Sequence, residues 1–235
     1  MTPALDPVHL VLVAGGTGTR MNSAIPKQFL EIRPGWMILE ETLSRLLSSV
    51  RFVSVVVVVP ESYIRTSVET VTRIVPEGTD LSVTAGGHCR QESCAIGVFS
   101  ISGAPRDLVM IHDAARPFVS AQLMDRLLRA GRTVGAAIPV IPSRDSLVTA
   151  HDGLVLEYLD RSCINQVQTP QVFRLESIRF AHQEARNSEC TNACDDATLV
   201  NRIGYPVATV DGDPGNLKVT TPEDLDHARH RLNAD

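Results

Sequence analysis

Aromatic side chains make up only 4% of this 235-residue chain, against a hydrophobic content of 43%. Its core must therefore be aliphatic, which suits a parallel sheet built from Val, Ile and Leu. Excess positive charge is also missing. The formal net charge is −5, so no overall basic field recruits nucleic acid, and any phosphate binding must be local. The longest apolar run, residues 53–60, has the length of a strand and is far too short to span a bilayer, so no membrane association is expected. Residues 1–7 contain no apolar signal core, and a cytoplasmic protein is expected. The five cysteines (Cys89, Cys94, Cys163, Cys190 and Cys194) include no C-x-x-C pair. They read as reduced thiols rather than a disulfide framework or zinc set. Two familiar nucleotide loops are missing as well. No Gly-Lys-Ser or Gly-Lys-Thr occurs, which excludes a P-loop, and a G-x-G-x-x-G pattern begun at Gly16 fails at Met21.

What the chain does have is a different glycine loop. Leu12-Val13-Ala14-Gly15-Gly16-Thr17-Gly18-Thr19-Arg20-Met21 is followed by Pro26-Lys27-Gln28, and an apolar strand runs straight into it. Gly15, Gly16 and Gly18 permit close backbone approach, so successive N–H groups can converge on an anion. Arg20 and Lys27 add full positive charges. A plain surface turn is the competing reading, but strand and cations bracket these glycines. The loop lies at a first βα turn, where open α/β sheets bind ligands.

Strand-like and helix-like patterns alternate beyond it. Strands are expected at 8–14, 53–59, 81–85, 107–111 and 136–141, with helices at 37–49, 61–74, 90–100 and 121–130 between or after them. Repeated βα units predict an α/β fold with a doubly wound, mostly parallel sheet. The pattern breaks at Pro142. Around His151-Asp152-Gly153 the sequence signals a hairpin, and its apolar residues Leu154, Val155, Leu156 and Tyr158 suggest an arm that finds a second subunit. Helices are expected again at 175–185 and 195–203, strands at 207–210 and 216–219, and a last helix from Pro222 capped by Thr221. The simplest organisation is one domain over 1–235 with a β-arm at about 143–165.

Two further constellations carry chemistry. Gly86-Gly87-His88-Cys89-Arg90-Gln91-Glu92-Ser93 follows a strand and opens a helix. It is either a turn with a helix cap or a second wall of the pocket, where Ser93 and backbone groups read a base edge. Ile111-His112-Asp113-Ala114-Ala115-Arg116-Pro117 ends a buried strand. Asp113 there can bind Mg²⁺ directly or through water, accept hydroxyls of a substrate, or cap the next helix. Arg116 adds a cation beside it. Lys218, between Leu217 and Val219, and Arg161, after Asp160, read on spacing alone as surface charges.

The glycine loop with Pro26-Lys27-Gln28-Phe29, then His112-Asp113-Ala114-Ala115-Arg116-Pro117, Gln168-Thr169-Pro170-Gln171 and Lys218-Val219-Thr220-x-Pro222-Glu223-Asp224-Leu225 occur in family order. Together, over about residues 8–230, they resemble the 2-C-methyl-D-erythritol 4-phosphate cytidylyltransferases. The resemblance implies a Rossmann-like nucleotidyltransferase domain, a β-arm clasping a second subunit in a homodimer, and reaction of CTP with a polyol phosphate. It implies Arg20, Lys27, Arg161 and Lys218 as catalytic residues, with Arg161 supplied across the dimer. It further implies a substrate-binding set of Ala14, Gly15, Gly16, Thr17, Gly18, Gly86, Gly87, Arg90, Ser93, Asp113, Ala114, Arg116 and Ser146, with Mg²⁺ as cofactor. Ser146 stands where the family often has threonine, Gly15 where many members have alanine, and His88 where an acidic residue is frequent. Ribitol 5-phosphate cytidylyltransferases share the phosphate-handling motifs, and a non-catalytic nucleotide-binding module is the alternative from another class.

Overall fold

The computed structural model describes residues 6–16, 21, 23–191 and 193–234. Its elements run β1 (Val8–Val13), a small hairpin of β2 (Glu31–Arg33) and β3 (Trp36–Met37), α1 (Ile38–Ser49), β4 (Ser54–Val59), α2 (Ile64–Val71), β5 (Asp80–Ala85), α3 (Arg90–Ser100), β6 (Leu108–Asp113), α4 (Ala121–Val134) and β7 (Ala136–Pro142). There follow β8 (Leu147–His151), β9 (Leu154–Leu159), β10 (Asn165–Val167), β11 (Gln171–Arg174), α5 (Leu175–Asn187), α6 (Asp196–Arg202), β12 (Ala208–Asp211) and α7 (Pro222–Ala234).

The main sheet has eight strands in the order β10-β7-β11-β6-β1-β4-β5, with β12 also on β7. β6, β1, β4 and β5 pair in parallel, whereas β11 runs antiparallel between β6 and β7. The valine run of β4 explains the layering. Val55, Val57 and Val59 face the core formed with α1, α2 and α4, while Val56 and Val58 face the core under α3, α5 and α6. A strand buried on both faces cannot alternate apolar with polar, and this one does not. Gly97 lets α3 lie flat on the sheet: a Cβ there would sit 2.4 Å from Val11 Cγ1. That close approach aims the first turn of α3 at the carboxyl ends of β1, β4 and β6.

β8 and β9 pair only with one another and form a separate hairpin. Asp152 and Gly153 turn it with φ of 50° and 78°, as the Asp-Gly signal requires. Three expectations need correction. Helix α2 is shorter than 61–74: Glu61–Tyr63 is a 3₁₀ turn, and the hydroxyl of Thr72 bonds back to Val68 O (2.8 Å) where the helix ends. Residues 216–219 are no strand. Leu217 and Val219 pack with α7 in a third apolar cluster instead of joining the sheet. The antiparallel strand β11 was not foreseen, because a four-residue run after Pro170 carries too little periodicity to distinguish.

Candidate active site

The chain leaves β1 as Ala14-Gly15-Gly16 at the carboxyl edge of the sheet, where a cleft of about 340 Å³ opens. Gly15 and Gly86 are glycine for space. A Cβ on Gly15 would lie 3.0 Å from Ser93 Oγ, and one on Gly86 only 2.8 Å from the same atom. Ser93, buried in α3, packs between these two glycine segments and fastens the second: its hydroxyl donates to Cys89 O (2.9 Å) and accepts from Gly87 N (3.2 Å). Gln28 ties down the other side, since its amide donates to Ala14 O and to Gly16 O. Its neighbour Lys27 is thereby held at the cleft wall. Thr17, Gly18 and Arg20 lie outside the described residues.

Asp113, at the end of β6, is the centre of charge. Arg90 Nε donates to its Oδ1 (3.1 Å), Lys218 Nζ to its Oδ2 (2.7 Å), and Arg116 Nε stands 3.9 Å from Oδ2. Burial alone would raise the pKa of this carboxyl, but Arg90, Lys218 and Arg116 hold it well below the usual carboxylate range. Behind it, Arg90 Nη1 reaches Asp196 Oδ2 (2.8 Å), and Asp196 Oδ1 meets His182 Nε2 (3.1 Å), with Asp196 and His182 both buried. Burial opposes ionisation of Asp196 too, yet Arg90 and His182 keep its pKa low. The cations Lys27, Arg90, Arg116 and Lys218 outnumber Asp113 and Asp196, so the cleft is prepared for polyanions.

The peptide around Asp113 is held by hydrogen bonds that leave its carboxylate aimed outward. Asp113 N donates to Thr169 Oγ1 (3.1 Å), whose hydroxyl is 3.0 Å from His112 Nδ1, and His112 Nε2 is 3.1 Å from Arg116 O. The chain is consistent if Thr169 donates to Nδ1 and Nε2–H donates to the carbonyl. Burial, opposed by Asp113, lowers the pKa of His112 to about 4, so the imidazole is neutral at physiological pH.

Among the expected site residues, Ala14, Gly15, Gly16, Lys27, Gly87, Arg90, Ser93, Asp113, Ala114 and Lys218 line one cleft. Gly86 and Arg116 stand directly behind that lining, through Ser93 and Asp113 respectively. Arg161 and Ser146 do not: both are exposed at the base of the hairpin, and Arg161 Nη1 donates to Arg144 O (2.8 Å). His88 is exposed on the cleft rim, its N–H held by Glu92 Oε2 (2.8 Å). Spacing placed Lys218 on a surface strand, and that placement was wrong. Its neighbours Leu217 and Val219 are drawn into the cluster under α7, so the intervening side chain points into the cleft. Sequence reasoning missed the supporting residues Gln28, Thr169, His182 and Asp196. One compositional signal was available: the chain has twenty arginines but two lysines, and both lysines line the cleft.

Among the described residues no group of three or more His, Cys, Asp or Glu side chains could hold a metal by itself. Asp113 is the single carboxylate among the described residues that line the cleft. One carboxylate together with phosphate oxygens and water is a donor set that Mg²⁺ accepts. The residues therefore fit a cation that arrives with a polyphosphate.

An open, mostly parallel sheet with a glycine loop and a cation-rich cleft at its carboxyl edge defines a Rossmann-like protein that handles nucleotide phosphates. The family model of 2-C-methyl-D-erythritol 4-phosphate cytidylyltransferase matches residues 8–234, and the chain belongs to that family. It is 35% identical over 225 residues to the Carboxydothermus hydrogenoformans enzyme of that name, covering 95% of this chain and 94% of the relative. Identity to the Geobacillus kaustophilus enzyme is 38% over 215 residues, with 92% of each chain covered. The crystal structure of 2-C-methyl-D-erythritol 4-phosphate cytidylyltransferase from Thermus thermophilus superposes with a TM-score of 0.77 at 34% identity, over 97% of this chain and 99% of that one.

Proposed function

We propose that this protein is a cytidylyltransferase joining CTP and 2-C-methyl-D-erythritol 4-phosphate to give the CDP-alcohol and pyrophosphate. The observation that carries the reading is the meeting of Lys27, Arg90, Asp113 and Lys218 with the glycine segments on one cleft in a chain of this family. The substrate phosphate and the triphosphate are both anions. Two unit charges 4 Å apart repel by about 4 kcal/mol at an effective dielectric of 20, and fixed cations offset that repulsion.

In the proposed reaction an oxygen of the phosphomonoester forms a bond to the α-phosphorus of CTP. The bond from that phosphorus to the bridging oxygen breaks, and pyrophosphate leaves with the electron pair. No covalent enzyme intermediate is needed. Lys27, with Arg20, stabilises the charge that builds on the bridging oxygen and the leaving group. Lys218 holds the attacking phosphate, steered by its bond to Asp113, and Arg116 supports it. The segment Gly86-Gly87 and Ser93 form the wall for cytosine. Asp113 is the residue that would help hold a Mg²⁺ brought with the triphosphate, and such an ion would supply further charge neutralisation.

Arg161 and Ser146 are assigned to the site of a second copy. The hairpin supports a homodimer: Leu154, Leu156 and Tyr158 are 71%, 69% and 75% exposed, an apolar surface that a lone domain rarely presents. On this reading the chain is one domain with an arm. The cytoplasm is the assigned compartment, in keeping with five free cysteines; among the described residues no helix is long and apolar enough to cross a membrane.

Pyrophosphate release from CTP, measured with methylerythritol phosphate, ribitol 5-phosphate and the other nucleoside triphosphates, tests the reading. The highest kcat/KM is expected for CTP with methylerythritol phosphate. A preference for ribitol phosphate, or CTP binding without pyrophosphate release, would overturn it.

A further inference from the structure

Two loops deliver the cations assigned to the attacking phosphate. Residues 114–118 carry Arg116, and residues 213–218 carry Lys218. They touch directly where Val219 N donates to Ala115 O (2.8 Å) and Arg116 Nη1 donates to Asn216 O (2.9 Å). A third element reaches both. Arg231, near the end of α7, donates from Nη1 to Gly215 O (2.6 Å) and lays its guanidinium over the ring of Phe118, 4.4 Å from the centroid.

Both partners are shaped for this contact. Phe118 is buried, and Arg45 of α1 stands over the same ring at 5.3 Å. Gly215 leaves room for the guanidinium: a Cβ there would sit 3.0 Å from both Nη atoms. The turn containing Gly215 is closed by its own groups, with Asp213 Oδ1 accepting from Gly215 N (2.7 Å) and Asp213 O from Asn216 N (2.9 Å). It is tied to the sheet by Gln168, which donates to Asp213 O (2.9 Å), and by Asn216 Nδ2, which donates to Thr169 O (2.8 Å); Arg231 is the tie from the α7 side. Arg231 is thus a charged strap across the two loops. Its planar guanidinium stacks on the ring and donates from a fixed fork, a geometry that the compact ammonium of a lysine reproduces only in part.

We propose that Arg231 is a positioning residue for the phosphate-presenting half of the cleft, fixing Lys218 and Arg116 relative to one another from outside the site. The inference rests on the proposed assignment of those cations to the polyol phosphate. It predicts selectivity, because the CTP-facing half is built from other elements: the β1 loop, Gln28 and the first turn of α3.

The test compares Arg231→Met, Arg231→Lys and Arg229→Met. Arg229 sits on the same helix and donates to Glu31 O (2.8 Å), away from the cleft, so it reports what loosening α7 does by itself. Wild-type turnover of CTP with methylerythritol phosphate is measured first, and its absence would fail the functional reading, not the strap. Given turnover, Arg231→Met is expected to raise KM for the polyol phosphate about tenfold with KM for CTP changed less than about twofold, since small misplacements of a binding group are expensive. Arg231→Lys should recover only part of that, and Arg229→Met should lower Tm without changing the ratio of the two KM values. Phe118→Leu, which keeps an apolar side chain but removes the ring, should shift KM in the same direction and add little to Arg231→Met. Equal changes in both KM values, the same ratio shift in Arg229→Met, or full additivity of the Phe118 and Arg231 variants would each overturn the proposal.

Discussion

Replacing Asp196 by alanine removes a carboxylate that is 1% exposed and 2.8 Å from Arg90 Nη1 and 3.1 Å from His182 Nε2. Arg90 then keeps only its bond to Asp113, and His182 loses its partner inside the protein. Breaking one half of a buried ion pair costs about 3–5 kcal/mol, and for a domain of this size each kcal/mol moves Tm by roughly 2–4 °C. A fall in Tm of about 6–20 °C follows. Asp196→Asn is expected to cost less, because an amide oxygen can still accept from Arg90. The pH dependence supplies a second signature. The Asp196 pKa is depressed in the folded protein, so its stabilisation is present above the ordinary carboxylate value and is lost as pH falls below it. The asparagine variant should therefore lose less stability than wild type below about pH 4. Calorimetry at pH 7 and urea denaturation at several acidic pH values read both effects. An alanine variant melting within about 2 °C of wild type would refute the claim that Asp196 anchors Arg90.

Three other outcomes are expected. Lys27→Met and Lys218→Met should each reduce turnover on the order of 10²–10³-fold, the cost of removing one transition-state donor; normal single-turnover rates in either would refute its role. Burial holds the folded-state pKa of His112 near 4 against an ordinary 6.5. The neutral ring therefore contributes stability that is complete above pH 6.5 and is lost as pH falls toward 4, about 3 kcal/mol in all. NMR should find the imidazole still neutral at pH 5.5, and protonation near pH 6.5 would contradict the structure. Replacing Leu154, Leu156 and Tyr158 together by serine should convert dimer to monomer in sedimentation and abolish turnover if Arg161 acts across the interface. A monomeric wild-type protein with full activity would refute that reading.

Residue pattern alone made much of this protein legible. The valine run at 55–59 and the apolar run at 108–111 announced buried strands, and the helix from Arg90 to Ser100 was bounded by its cap and periodicity. The Asp-Gly turn gave away the hairpin. These signals are local: each depends on a few neighbouring side chains sharing one environment. The glycine loop, Lys27 and Asp113 were recognisable for the same reason, since each follows the end of a strand, where a parallel sheet gathers its ligand sites.

Other parts depended on which distant segments meet. Nothing in the spacing around Asp196 or His182 connects them to Arg90, which lies 106 residues before Asp196; the packing of α3, α5 and α6 in one layer does. Lys218 looked like a surface charge because alternation says which residues share a face, not which face meets the cleft. Only the pull of Leu217 and Val219 into the cluster beneath α7 decided that. The sequence by itself determined the alternating βα frame, the glycine loop and the kind of charge around it, because periodicity and chain-end chemistry are written over a few residues. Tertiary structure decided that Lys218 joins Arg90 and Arg116 on Asp113, and that Asn216 and Asp196 hold those arginines, because these contacts join residues about a hundred positions apart and form only when the layers have packed.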